Sequence, residues 1–127
     1  MKLRTTFNSI RIRIRKSELE TLQKTNLVEE SIKFPTNTLF KFALAVDEKA
    51  TAVNATLEDN YLKLSIPKQE ANEWISTNQV GIETHIDLSG NEQLHLLIEK
   101  DFPCLDRPEE DKSDTFWELA PETPDSC

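Results

Sequence analysis

The feature that most constrains this chain is a likeness between its two halves at an offset of 52 positions. Asn8 falls on Asn60, Ile14 on Ile66, Lys16 on Lys68 and Glu18 on Glu70; further along, Thr25 falls on Thr77, Asn26 on Asn78 and Val28 on Val80. Ile10/Leu62, Arg11/Lys63, Ile12/Leu64 and Leu22/Trp74 match in character. A chain built twice from one unit folds that unit twice, and the copies bury their apolar faces against each other. The shared asparagines and the shared Lys-x-Glu starts exceed what two similar hairpins need, so the likeness reads as a duplication.

Each unit carries the same local signals. Ile10, Ile12 and Ile14 alternate with Arg11, Arg13 and Arg15, the period of two of a half-buried strand. Residues 2–6 read as its partner, with a turn at Asn8–Ser9. Ser17 followed by Glu20 has the form of a capping box, so a short helix is expected from there to about Thr25–Asn26. Val28–Phe34, Leu39–Val46, Thr51–Glu58 and Tyr61–Ile66 read as strands, the last two joined by a tight turn at Asp59–Asn60. Pro67 suits the opening of a second helix running through Glu70, Trp74 and Ile75. Gln79–Leu88 and Gln93–Lys100 read as a final hairpin around Ser89–Glu92. The expected fold is α+β and mostly β. Two ββαββ halves, about 1–50 and 51–102, form an eight-stranded antiparallel barrel or two packed sheets with two short helices. Residues 103–127 are rich in Pro, Asp and Glu without an apolar period, and read as an acidic extended tail beyond a single β-rich domain spanning 1–102.

A chain of 127 residues is long enough to bury one core unaided. With only 2 glycines it has no glycine-rich phosphate loop. A net charge of −8 opposes general binding to a nucleic-acid backbone. The charge is segregated: Lys2, Arg4, Arg11, Arg13, Arg15 and Lys16 stand in an acid-free start, while residues 99–125 are strongly acidic. The two ends are therefore expected to attract. Cys104 and Cys127 form no Cys-x-x-Cys pair, which removes zinc sites of the usual spacing. The start lacks a signal-peptide core and no run reaches membrane length, so the expected setting is cytoplasmic, without membrane contact.

The polar strand faces hold the candidate site residues. Arg11, Arg13 and Arg15 share one face, as do Glu83, His85 and Asp87, and Lys63, His95 and Glu99 add to the polar set. Turned inward, these faces would line a charged lumen suited to a polyphosphate. Turned outward, they make cross-strand pairs. The outward arrangement is expected, because an unpaired inward arginine costs several kcal/mol in desolvation. No serine–histidine–acid set is legible, and Cys104 lies beside acids that raise a thiol pKa. Glu99, Asp101, Glu110, Asp111 and Asp114 suit either a hard cation or an acidic tail that returns to the basic first hairpin, and the returning tail is preferred. The binding candidates are thus Arg11, Arg13, Arg15, Glu83, His85, Glu99, Asp101 and Arg107, with no catalytic residue, metal or cofactor assigned.

Met1–Arg4, the run Asn8-Ser9-Ile10-Arg11-Ile12-Arg13 with Ser17-Glu18, and Leu97–Leu105 with Arg107, Glu110-Asp111, Asp114 and Phe116 resemble an uncharacterised family of small Bacteroidetes proteins. The likeness is most specific at the Leu-Ile-Glu-Lys-Asp-Phe-x-Cys-Leu segment. It implies no activity and transfers no catalytic residue. Lys112 and Trp117-Glu118-Leu119 stand where the family carries an acid and a Pro-Asn-Pro ending. Residues 55–68 also resemble the last hairpin of small heat-shock proteins, with Asn60 in place of their glycine, a likeness of hairpin physics. The expected function is a non-enzymatic binding module with a protein partner and no nucleic acid. The alternative is a metal-dependent phosphate-ester or triphosphate-tunnel-like enzyme, although the acidic Glu-x-Glu-x-Lys opening of that class is absent.

Overall fold

The structure is a computed structural model that describes residues 1–102 together with Phe116 and Leu119. Arg107, both cysteines and most of the acidic tail lie outside the described residues. The first half runs β1 (Lys2–Thr6), β2 (Ser9–Ile14), α1 (Lys16–Thr25), β3 (Leu27–Lys33) and β4 (Leu39–Asp47). The second runs β5 (Asn54–Glu58), β6 (Tyr61–Pro67), α2 (Lys68–Ser76), β7 (Gly81–Asp87) and β8 (Gln93–Lys100).

Each sheet takes one hairpin from each half. The first sheet has the order β1-β2-β8-β7 and the second β3-β4-β6-β5. Within a hairpin the strands are antiparallel, but the halves join through two parallel seams, β2 with β8 and β4 with β6. The expectation of an all-antiparallel sheet is corrected at these seams. Alternation specifies which face of a strand is buried, and says nothing about which strand lies beside it. The barrel is also corrected. Each sheet order is open, with β1 and β7 as the edges of one sheet and β3 and β5 as the edges of the other, so the described residues close no barrel.

Two packed sheets remain, and they share one core. Ile12 and Ile14 from β2, Leu96 and Ile98 from β8, Leu44 from β4 and Leu64 and Ile66 from β6 are fully buried in it with Leu22 and Trp74 from the helices. Burying each large apolar side chain contributes roughly 1.5–3 kcal/mol.

Exchanging the halves turns the first sheet order into the second read backwards. Ile12 pairs with Ile98, and Leu64 with Leu44, so Ile12 and Leu64 occupy matching places. Val28 pairs with Leu44 while Ile82 pairs with Ile98. The counterpart of Val28 is therefore Ile82 and not Val80, which is half exposed. The longer link from α2 to β7 shifts the match by two residues.

The first helix begins earlier than Ser17 predicts. Glu18 reaches back to accept a hydrogen bond from the Arg15 amide at 2.7 Å, which makes Arg15 the N-cap. At the other end Asn26 adopts φ 61° and donates its amide to the Leu22 carbonyl at 2.9 Å, the left-handed stop that asparagine tolerates. Pro67 caps α2, whose Ala71 and Trp74 enter the core. Trp74 Nε1 donates to the Val80 carbonyl at 3.1 Å. The α-amino group of Met1 pairs with Glu18 and, at 2.7 Å, with Glu30 on β3. Among the described residues no helix is long and apolar enough to cross a membrane.

Candidate functional site

The outer face of the first sheet collects Arg11, Arg13, Glu83, His85 and Glu99, with Asp101 just past its end. Because the isoleucines of β2 point into the core, Ser9, Arg11 and Arg13 must point the other way. Register then sets their neighbours. Lys2 and Arg4 of β1 lie opposite Arg13 and Arg11. On the other side, Ser9 lies opposite His95 and Arg13 opposite Glu99. Beyond β8, Glu83 and His85 of β7 continue the same rows. The Asn8–Arg13 run and the start of the Leu97–Leu105 segment are thus adjacent central strands.

The upper part of this face is an ion-pair ladder. Glu99 Oε1 lies 3.0 Å from Arg11 Nε and 3.7 Å from Arg13 Nε. Asp101, just past β8, pairs with Arg13 at 3.9 Å and with Lys2 at 3.4 Å. Its amide donates to the Ile14 carbonyl at 2.8 Å, and the Phe102 ring centroid lies 4.6 Å from the Arg13 guanidinium carbon. Asp101 thus lies against the basic first hairpin, while the acidic tail expected to return to that hairpin lies outside the described residues. The arginines face outward as expected, yet Arg13 is 9% exposed in its side chain and not freely solvated. Burial of this kind is tolerable because both carboxylates offset the desolvation of the guanidinium. Gly81 makes room for Glu99. A Cβ at that position would lie 2.7 Å from the Ile98 carbonyl oxygen and 3.0 Å from Glu99 Cγ.

The lower part carries a hydrogen-bonded chain whose link from Ser9 to His95 had no signal in the sequence. Ser9 Oγ is 3.1 Å from His95 Nδ1, and His95 Nε2 is 2.7 Å from Glu83 Oε2. The His85 ring stacks on His95 with centroids 4.5 Å apart. Between the ladder and this chain lies a cleft of about 250 Å³ lined by Arg4, Thr6, Ser9, Arg11, His95 and Leu97. Arg4 has no acidic partner among the described residues. The contact of Arg11 with Glu99 is through Nε, and its side chain is 28% exposed. A cleft lined by two guanidinium groups and two hydroxyls beside an imidazole offers hydrogen-bond donors from several directions, which suits an anionic group.

Of the predicted residues, Arg11, Arg13, Glu99 and Asp101 meet in the ladder, and Glu83 and His85 flank His95. Arg15 stands apart at the start of α1, two-thirds exposed beside Glu18 at 3.6 Å. Arg4, Thr6 and Ser9 were missed, although Lys2, Arg4 and Thr6 share the period of two that marked Arg11 and Arg13. The pairing of Ser9 with His95 depends on the parallel seam and had no sequence signal. Among the described residues, no group of three or more His, Cys, Asp or Glu side chains is placed to hold a metal ion.

No curated protein and no solved structure matches this chain. One family model does match, over residues 1–119, a span that includes both central strands of the first sheet and every residue of the cleft. The chain belongs to DUF7009, a family of unknown function.

Proposed function

We propose that this protein is a non-enzymatic binding module that docks an acidic segment of a protein partner on the outer face of the first sheet. The observation that carries the reading is the pair of guanidinium groups, Arg4 and Arg11, lining one cleft with no carboxylate in its wall among the described residues. Arg13, Glu99 and Asp101 serve that cleft indirectly: the ladder holds Arg11 from one side. The acidic chain as a whole, at −8, repels long polyanions, so a short acid-bearing segment suits it better than a nucleic acid. The reading places the module in the cytoplasm, and takes the matched halves as products of one duplicated hairpin–helix–hairpin unit.

The triphosphate-tunnel alternative has less support. That chemistry needs a closed lumen, whereas the charged groups lie on the outside of an open sheet. A cleft of about 250 Å³ is also smaller than typical pockets for whole small molecules, roughly 300–1,000 Å³.

The test is fluorescence anisotropy with a labelled peptide rich in Asp and Glu. Binding should weaken with added salt. Arg4→Glu should lower the affinity by about tenfold or more, while Lys33→Glu on the second sheet should leave it unchanged. No binding by the wild-type chain, or equal binding by Arg4→Glu, would refute the reading.

A further inference from the structure

The Ser9–His95–Glu83 chain gives the cleft a property beyond a preference for negative charge. Glu83 accepts from Nε2–H of His95 at 2.7 Å. With His95 neutral, that tautomer leaves Nδ1 as an acceptor, so the Ser9 hydroxyl must donate to it across 3.1 Å. The serine oxygen then turns only lone pairs toward the cleft. Protonation of His95 reverses the contact: Nδ1–H donates to Ser9 Oγ, and the serine proton is freed to point into the cleft. One proton therefore adds a positive charge and converts Ser9 from acceptor to donor.

We propose that this cleft is a proton-linked site for a tetrahedral dianion, the phosphoryl group of a phosphate monoester carried on the partner segment. The proposal rests on the binding-module reading and narrows it. A carboxylate presents two oxygens and one charge. The donors that can turn toward the cleft are Arg4, Arg11, Thr6 and, once His95 is protonated, Ser9, more than a carboxylate uses and well matched to a terminal phosphoryl group with its three oxygens. The volume of about 250 Å³ accommodates such a group and the stem that carries it.

The charged groups facing His95 support the coupling. From β7 come Glu83, in direct contact, and His85, stacked on the ring. From β2 comes Arg11, and from β1 Arg4, both across the cleft. On β8 itself Glu99 is engaged by Arg11. A dianion seated between the two guanidinium groups and the imidazolium attracts all three, so ligand and proton assist each other.

Sulfate separates this mechanism from titration of the ligand, because it stays doubly charged across the range in which histidine titrates. The experiment follows amide shifts of the ¹⁵N-labelled full chain during sulfate titration near pH 5.5 and near pH 8. Wild type should show saturable shifts around Arg4, Ser9 and His95, with affinity several-fold higher at the lower pH. His95→Gln should bind with no pH dependence. Ser9→Ala, which keeps the histidine charge, should retain part of the low-pH gain. A phosphoserine peptide should bind more tightly than its unphosphorylated parent. Absence of saturable shifts at either pH, or unchanged pH dependence in His95→Gln, overturns the proposal. If sulfate and the phosphopeptide fail while the Asp/Glu-rich peptide still binds in an Arg4-dependent way, the phosphoryl site falls and the binding-module reading stands. If all three fail, both fall.

Discussion

Arg11 and Glu99 meet across the parallel seam between β2 and β8, Nε to Oε1 at 3.0 Å, and that same oxygen faces Arg13 at 3.7 Å. One carboxylate from the second half thus holds two guanidinium groups from the first. The Oε1 atom is buried without an aligned hydrogen bond, so the attraction is mainly coulombic in a region partly shielded from water.

Removing that carboxylate leaves two cations facing each other. Glu99→Ala should destabilise the fold by about 3 kcal/mol, the low end for breaking a buried pair. Glu99→Gln keeps the shape and should cost less. Urea unfolding followed by circular dichroism measures both. Equal stability of wild type and Glu99→Ala would show that the ladder is a solvated surface feature.

The Met1 amine gives the stability a defined pH window. Burial pulls its pKa down, but hydrogen bonds to Glu18 and Glu30 outweigh burial and raise it above 8.0. A raised folded-state value stabilises below the unfolded pKa and is lost as pH rises through the folded one. For Glu18, burial pushes the pKa up, and the bond from the amine with that from the Arg15 amide overcomes it and sets the value below 4.5. That contribution is present above the unfolded value and lost as pH falls through the lowered one. The melting temperature should therefore form a plateau between these limits. Glu18→Gln should lower and flatten it, with a loss of stability of order 1 kcal/mol after solvent screening is allowed for. A pH series of thermal melts checks both flanks.

Trp74 reports on the core directly. It is fully buried and donates to the Val80 carbonyl. Trp74→Ala should cost about 3–5 kcal/mol. Trp74→Phe, which removes the donor and some volume, should cost about 1–2 kcal/mol. Equilibrium unfolding distinguishes the two variants.

The β5–β6 turn is open to improvement. Asp59 and Asn60 have φ of 51° and 62°, both in the left-handed region where glycine carries no Cβ penalty. Asn60→Gly should raise stability by up to about 1 kcal/mol. A lower melting temperature would mean that the asparagine side chain contributes more than its backbone preference.

What was legible in the sequence was local. Alternation placed Ile12 and Leu64 in the core and the arginines on the opposite face, and Asp59–Asn60 announced its hairpin. Glu18 lay within reach of the correct cap, but the Ser17–Glu20 spacing pointed two residues late because Glu18 answers to the Arg15 amide. The neighbours of each hairpin were not legible. β2 and β8 each alternate in the same way, and nothing in either strand states that they run side by side in one direction. The Ser9–His95 contact and the shared cleft follow from that seam, which is why they were missed while Arg11 and Glu99 were named separately.

The interleaving of the halves can be measured by cutting the chain between them, into residues 1–50 and 51–127. Each sheet needs a hairpin from both pieces, and so does the cleft, with Arg4 and Arg11 on one piece and His95 on the other. Neither fragment should fold as a monomer, and an equimolar mixture should recover the sheet signal and the dispersed amide spectrum of the intact chain. A single fragment that folds cooperatively as a monomer would contradict the account.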